Sequence, residues 1–271
     1  YSPVWGNGKI YYILYGRYKG EPVEIRVVNE NGEEDRKLCS LSLPFKMSLD
    51  ISPDLSKLLS WTVIDYRVRF YIIDTGGVAI DSIQTDIRCK PEGEGGGETR
   101  FNSTGEKIFF SIDSFLVSID IASETVETLA VIPAELKDVD PVDTGAVVGT
   151  STGVGGKGLY YLHLSDYTME YLPGLSAQAP RINPSYTNWL VHSNAGFEEI
   201  VGGGIGLYDM VSKESFVVDA RPYEWSAPTR DAYWSHDGRS VVFACGRYDD
   251  GGYSPCNEIW IFENIMEEVS K

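Results

Sequence analysis

The sequence predicts an all-β fold, a six-bladed β-propeller of four-stranded antiparallel blades. The first observation is a short phrase that recurs down the chain: an aromatic or aliphatic residue, a polar turn with Asn, Asp or Gly, and a run of β-branched and aromatic residues. The second is a period of about 40–50 residues between copies, which is typical of small β units that cannot bury their faces alone. The third is the lack of any long amphipathic helical pattern.

Six copies of the phrase account for the six blades. In chain order they lie at 5–12, 51–59, 101–110, 142–148, 182–190 and 233–243. The copies at 51–59, 101–110 and 233–243 are clear, and the copy at 142–148 is eroded. Their turns fall near positions 8, 55, 105, 145, 186 and 238. Gly is frequent in these turns because it adopts the positive φ that tight hairpins require.

Each repeat divides into short strands separated by turn residues. In the second repeat we expect strands at 58–63, 69–74 and 78–83, and in the third at 107–112, 116–121 and 125–131. In the last we expect strands at 231–234, 240–245 and 258–262, with 266–271 as a fourth strand or a short helix. Four-stranded units repeated radially form a propeller, which leaves only short protected edges.

The repeats fill the chain as one domain, residues 1–271. The predicted blades are approximately 1–41, 42–90, 91–133, 134–176, 177–222 and 223–271. The alternative architecture is a five-bladed propeller of the glycosidase type, with one weak repeat misassigned.

Charge and hydropathy limit the partners. The 271 residues carry 40 acidic and 23 basic side chains, a net charge of −17. A surface this negative repels nucleic acid and anionic lipid. No run of 18 apolar residues occurs, so we expect no membrane span. The expected partner is therefore a protein, either another protein or further copies of this chain.

The four cysteines suggest two disulfides. Cys245 ends one predicted strand and Cys256 begins the next, so a bridge there would close the neck of a long hairpin at 246–255. Cys39 and Cys89 fall near the outer-strand ends of two successive repeats and form the second candidate pair. Two bridges would indicate an oxidising compartment or a hyperthermophile, and the alternative is four buried thiols.

The repeats resemble a known family. The phrases at 52–54, 102–107 and 234–239, each followed by an aliphatic strand and then a strand such as 70–74, 116–120 or 259–263, are similar to the S-P-D-G-K "WD40-like" repeat of TolB-type propellers. The resemblance implies six blades and a periplasmic or extracellular role in protein–protein interaction. The repeat is structural, so the resemblance implies no catalytic residue, and shared fold is only an analogy for function.

Catalytic patterns are scarce. The chain has three histidines and no G-x-S-x-G nucleophile elbow, which argues against a Ser-His-Asp hydrolase. A glycosidase needs only two well-placed carboxylates. The segment 1–12 superficially resembles the first blade of five-bladed glycoside hydrolases, but Ser2 stands where that family has the Asp that acts as base or nucleophile.

Alignment of the repeats on their turns reveals a possible ring of polar residues. The residue just before the apolar anchor of each innermost strand is, in chain order, Pro3, Asp50, Arg100, Asp140, Arg181 and Tyr233. Innermost strands line the central channel, so these side chains should meet around the axis. One interpretation is a belt of salt bridges between blades, Asp50 with Arg100 and Asp140 with Arg181. The other is a channel mouth that binds a small polar ligand, an ion or a peptide end.

Two further sites are suggested by short motifs. Asp138, Asp140 and Asp143 are followed by glycine, and closely spaced carboxylates suit Ca²⁺, although the spacing differs from an EF-hand. No other cofactor is expected. Asn102 begins an Asn-Ser-Thr sequon on a turn, the place where a glycosylation acceptor must lie.

These observations predict a non-catalytic propeller at the cell surface, in the periplasm or outside the cell, acting as an interaction or structural assembly module. Tyr248 and Tyr253 on the long hairpin are candidate contacts, since Tyr gives large contact area at low entropic cost. The alternative is a carbohydrate-active enzyme with a carboxylate pair, Asp50 and Asp140, at the channel mouth.

Overall fold

The computed structural model describes twelve segments of the chain. They comprise residues 3–14, 22–41, 48–78, 80–89, 96–132, 134–142, 145–153, 158–173, 178–194, 204–218, 230–249 and 252–269.

Each of the first three sheets has four antiparallel strands in chain order. Blade 1 contains β1 (Val4–Gly6), β2 (Lys9–Leu14), β3 (Val23–Asn29) and β4 (Arg36–Leu41). Blade 2 contains β5 (Leu49–Ile51), β6 (Lys57–Ile64), β7 (Arg67–Asp74) and β8 (Ile80–Arg88). Blade 3 contains β9 (Gly96–Phe101), β10 (Lys107–Ile112), β11 (Phe115–Asp120) and β12 (Val126–Val131).

The remaining sheets follow the same order, and the predicted six-bladed propeller is confirmed. Blade 4 contains β13 (Ala134–Val142), β14 (Gly145–Gly153), β15 (Gly158–His163) and β16 (Met169–Leu172). Blade 5 contains β17 (Gln178–Ile182), β18 (Trp189–Asn194), β19 (Gly204–Asp209) and β20 (Glu214–Val218). Blade 6 contains β21 (Arg230–Trp234), β22 (Val241–Asp249) and β23 (Gly252–Phe262), followed by α1 (Ile265–Val269).

The first strand of every blade lies against the first strands of both neighbours. This series of contacts includes β1 with β21, so the ring is closed. The six innermost strands therefore surround a central channel, as in other propellers. The hairpin turns after these strands all lie at one end of the channel, which we call the turn face.

The hydrophobic core lies between the blades. Among the described residues, five clusters of buried side chains each join two successive blades. Between blades 2 and 3, for example, Phe110 meets the rings of Trp61 and Phe70 edge-on, with centroids 4.9 and 5.4 Å apart. A blade is stabilised mainly by stacking on its neighbours.

Position within the blade decides the burial pattern of each strand. The second strand β6 is buried on both faces from Leu58 to Val63, because neighbouring blades cover both sides of it. The outermost strand β8 is mostly exposed, with only alternate residues such as Ile83 and Thr85 buried. Continuous apolar runs in the sequence therefore mark middle strands, and alternating runs mark outer ones.

The recurring turn is held by a small side-chain network. Ser52 Oγ accepts a hydrogen bond from the backbone N–H of Lys57 (2.9 Å) and donates one to Asp54 Oδ1 (2.6 Å). Ser235 and Asp237 repeat this geometry in blade 6. These bonds explain the Ser-x-Asp pattern of the repeat, because they satisfy polar groups in the turn that no strand pairs.

The end of the chain forms the second of the two predicted alternatives, a short helix. Helix α1 begins at Ile265, which is buried against blades 5 and 6. One prediction is corrected: the polar segment 246–255 is less of a loop than expected, because β22 and β23 stay paired as far as Asp249 and Gly252. Within the described part of the chain, no helix is both long and apolar enough to cross a membrane.

The predicted Cys39–Cys89 disulfide is wrong, since neither cysteine is bridged. Cys39 packs with the cluster between blades 1 and 2, whereas Cys89 is buried in the cluster between blades 2 and 3. Equivalent outer-strand ends on successive blades thus bury against different neighbours. The side chains of Cys245 and Cys256 lie outside the described residues, although the backbone register places Glu258 opposite Cys245.

The turn of blade 6 yields a test of how blades are joined. Gly238 has a φ of +68°, and a Cβ there would collide with Oδ1 of Asn183 in blade 5. The side-chain amide of Asn183 donates a hydrogen bond to the Gly238 carbonyl. Gly32 has a φ of +81° but open space around it. We expect Gly32→Ala to lower the free energy of unfolding by about 1 kcal/mol through backbone strain. Gly238→Ala should lower it by about 2–4 kcal/mol, since it adds a clash and displaces the bond between blades.

Urea unfolding of the two variants beside the wild type measures the difference. Equal losses for Gly238→Ala and Gly32→Ala would mean that the contact between Gly238 and Asn183 contributes nothing.

Candidate functional site

The five polar residues of the predicted ring meet at one end of the channel. They lie on the innermost strands of blades 2 to 6 and together line one cavity that opens at the turn face: Asp50, Arg100, Asp140, Arg181 and Tyr233. Pro3, the sixth position, carries no polar side chain. Successive inner strands converge on the axis, which brings together residues that are about one repeat apart in sequence.

Asp50 is buried and fully engaged. Its Oδ2 accepts a hydrogen bond from the backbone N–H of Phe101 (2.7 Å), and its Oδ1 accepts one from the hydroxyl of Tyr233 (3.0 Å). Burial raises the pKa of Asp50, while Arg100 and the hydrogen bonds oppose that shift. Burial and the neighbouring Asp50 also raise the pKa of Tyr233 well above its usual range, so the phenol stays a donor.

Arg100 is held by a residue that sequence reasoning missed. Its Nη2 donates to Glu98 Oε2 (2.5 Å) and its Nη1 donates to the carbonyl of Thr99. Glu98 lies two residues before Arg100 on β9, and residues two apart point to the same side of a strand. That spacing was the available signal, but alignment on one position per blade concealed it.

Asp140 and Arg181 form a second group. Asp140 Oδ2 accepts a hydrogen bond from the backbone N–H of Ile182 (2.5 Å), and its Oδ1 lies 3.9 Å from Arg181 Nη1. Burial raises the pKa of Asp140 from 3.8 to about 7, opposed chiefly by Arg100. Asp140 is therefore partly protonated at neutral pH.

The two aspartates do the same structural work. Each lies on the inner strand of one blade and accepts the backbone N–H of the residue that follows the arginine of the next blade: Phe101 after Arg100 and Ile182 after Arg181. The expectation of simple Asp–Arg salt bridges is therefore incomplete. Asp140 and Arg181 are close, but the hydrogen bonds of Asp50 go to a backbone amide and a phenol.

Arg181 differs from Arg100 in its hydrogen bonding. Its guanidinium lies over the ring of Tyr233 (5.1 Å to the centroid) and its Nη2 is 3.9 Å from Glu98. It is 4% exposed, yet within the described residues its Nε and Nη1 find no hydrogen-bond acceptor. A buried donor left in this state costs free energy unless water or a ligand pairs with it.

The cavity has a charged floor and largely apolar walls. Its volume is about 440 Å³. The walls come from the ends of innermost strands and the turns that follow them, and they include Trp5, Leu55, Pro141, Val142 and Pro184. This volume falls within the range of small-ligand sites, and a few polar groups in an apolar setting are typical of such sites.

The calcium prediction remains a prediction. Asp138 is buried beside Gly149, Asp140 belongs to the ring, and Asp143 lies outside the described residues. Within the described part of the chain, no three His, Cys, Asp or Glu side chains are grouped as metal ligands.

The remaining candidate residues lie away from the channel floor. Asn102 borders the cavity, and its side chain is used in its own turn: Oδ1 accepts the N–H of Lys107 (2.9 Å) and Nδ2 donates to Thr104 (2.9 Å). Tyr248 and Tyr253 are opposite one another on the hairpin, and their side chains lie outside the description. Glycosylation and interface roles for these three residues stay predictions.

Comparison with known proteins places the fold among TolB propellers. No protein-family model and no curated protein matches the sequence. Among solved structures, TolB from Acinetobacter baumannii aligns with a TM-score of 0.69 and 14% identity, covering 93% of this chain and 65% of that one. A putative TolB from Agrobacterium tumefaciens aligns with 0.66 and 12%, covering 89% and 84%.

Enzymes share the same fold. An oligogalacturonate lyase from Vibrio parahaemolyticus aligns with a TM-score of 0.59 and 14% identity, covering 98% of this chain and 75% of that one. The protein is thus a six-bladed β-propeller, and its architecture is that of TolB, as the repeats suggested. At these identities the likeness concerns the fold alone.

The raised pKa of Asp140 has a testable consequence. Between about pH 4 and 7 the folded protein binds more protons at Asp140 than the unfolded chain does, so this group lowers the free energy of unfolding as pH rises through that window. Asp140→Asn lacks this effect. We expect the stability of the wild type relative to Asp140→Asn to fall by about 1–3 kcal/mol from about pH 4.5 to about pH 8.

Denaturant unfolding across this range measures the change, with Asp166→Asn as the control. The amide and hydroxyl of Thr168 lower the pKa of Asp166, so that comparison should change in the opposite direction, at lower pH. A carboxyl ¹³C resonance of Asp140 that titrates below about pH 4.5 would contradict the assignment.

Proposed function

We propose that this propeller is a non-catalytic interaction module that holds its partner at the channel mouth on the turn face. The observation that carries the proposal is the cavity itself. It has largely apolar walls, and in its floor Arg181 is buried with two donors that reach no acceptor among the residues that the structure describes. Such a site is suited to binding one end of a partner, because the walls offer contact area and the floor offers specificity.

The use of the floor carboxylates supports binding over catalysis. Both oxygens of Asp50 and one oxygen of Asp140 accept hydrogen bonds that join the blades. A general acid or base must be within reach of a substrate proton, and both oxygens of Asp50 are already engaged in bonds between blades. The proposed setting is the periplasm, the cell surface or the extracellular space. Its support is the likeness in fold to the TolB structures.

A carbohydrate-active enzyme is the second candidate. Asp140 borders the cavity, and a carboxyl with a pKa of about 7 is suited to general acid catalysis near neutral pH. One structural neighbour is an oligogalacturonate lyase. Turnover on a glycan panel that is lost in Asp140→Asn would favour this candidate over the binding module.

Blocking the mouth tests the binding proposal. Thr187 and His236 are exposed at the cavity rim, so Thr187→Trp and His236→Trp should fill it. Val211 is 76% exposed on an outer turn of the same face, which makes Val211→Trp a matched control. Peptides selected on the wild type from a random displayed library should bind the two rim variants at least about tenfold more weakly, and the control unchanged.

Fluorescence anisotropy with the selected peptides measures these affinities. Equal binding to all three variants would place the contact elsewhere and refute the proposal. A library that yields no peptide specific for the folded wild type would refute it as well.

A further inference from the structure

The floor of the mouth cavity carries charges of both signs. The charged side chains that line it are the acids Asp50 and Asp140 and the bases Arg100 and Arg181. Glu98 does not line the cavity but lies beside both arginines and accepts a hydrogen bond from Arg100. The buried polar side-chain atoms of this floor that reach no partner within the described residues are all N–H donors.

Those donors belong to the two arginines. Nε and Nη1 of Arg181 and Nε of Arg100 are buried and reach no acceptor within the described residues. Both residues are at most 4% exposed. The ring of Tyr233 packs against the Arg181 guanidinium, and Glu98 and Asp140 each lie 3.9 Å from it. At that distance the acids balance its charge but do not accept its hydrogen bonds.

A ligand that satisfies this floor must bring an acceptor, and a carboxylate is the acceptor that arginine pairs with best. The walls select what is attached to it. Trp5, Leu55 and Val142 offer apolar contact directly above the charged floor. The cavity volume of about 440 Å³ is large enough for one amino-acid residue together with the residues next to it in a short peptide.

We propose that the mouth binds an apolar carboxylate, with the carboxylate taking hydrogen bonds from the unpaired donors of Arg181 and the apolar group lying against the walls. This inference rests on the proposed function and specifies its ligand. The chemistry is common to the C-terminal residue of a peptide and to a free small carboxylic acid.

Asp140 makes this binding depend on pH. It faces Arg181 and Arg100 as well as the acids Asp50 and Glu98, and it is partly protonated at neutral pH. When it ionises, a further negative charge stands beside the ligand carboxylate. The affinity should therefore fall as pH rises through about 7, by about tenfold between pH 6 and pH 8.

Calorimetric titration at about pH 6 compares N-acetyl-leucine with N-acetyl-leucinamide, and the tripeptide acetyl-Gly-Gly-Leu with its amidated form. The acids should bind at least about tenfold more tightly than their amides. Tighter binding of the tripeptide acid than of N-acetyl-leucine identifies a peptide end as the ligand. Binding of the small acid alone identifies a free acid.

Variants assign the effect to Arg181. Arg181→Gln should abolish the preference for the acid, and Arg181→Lys should keep part of it, since Lys retains the charge but not the planar donors. Arg239→Gln is the matched control, because Arg239 is exposed on the turn of blade 6 and outside the cavity. Thermal unfolding of each variant checks whether it is folded. If Arg181→Gln does not fold, the comparison of Arg181→Lys with the wild type and the pH series test the inference instead.

Two results would overturn the inference. Equal binding of acids and amides would leave the mouth as a binding site but remove the carboxylate from it. Absence of binding by all four probes would also overturn the carboxylate assignment. The proposed function would then still be tested separately, by the rim variants. If the rim variants also left peptide binding unchanged, the proposed function would fail with it.

Discussion

A single four-stranded blade cannot cover its own two apolar faces, and the rest of the structure depends on this constraint. The middle strands are apolar on both sides, so a blade is stable only between two others. Successive stacking generates five described clusters, each shared by two blades. Closure of the ring through β1 and β21 leaves the short innermost strands facing a central channel.

That geometry concentrates polar side chains at the axis. Charged groups buried there would be costly without partners. Asp50 and Asp140 meet this cost by accepting a backbone N–H from the next blade, so the charges that line the channel also hold the ring together. Both Nη atoms of Arg100 donate within its own strand, to Glu98 and Thr99. Arg181 is less well paired: within the described residues its Nε and Nη1 reach no acceptor, whereas in Arg100 only Nε lacks one.

The shared fold says little about activity. TolB structures and an oligogalacturonate lyase align with this chain at similar identity, 14% or less. Function therefore has to be argued from the side chains of a particular site, which the repeat does not specify. In this chain the mouth combines apolar turns with two arginines on a protein whose net charge is −17.

The sequence by itself determined the blade count, the recurring turn and the inner-strand ring. These features are periodic, and each copy depends on the same interactions between residues that are close in sequence. The Ser-x-Asp turn at Ser52 and Asp54 is a short-range hydrogen-bond network. Because Asp50, Arg100 and Arg181 lie at equivalent positions just before their turns, alignment of the repeats on those turns was enough to place the three residues in one ring. Only the tertiary structure decided the partners across blades. It paired Asp50 with a backbone amide and with Tyr233 of a distant blade, brought in Glu98, and separated Cys39 from Cys89. Such contacts depend on how blades rotate about the axis and stack, and no local pattern encodes that rotation.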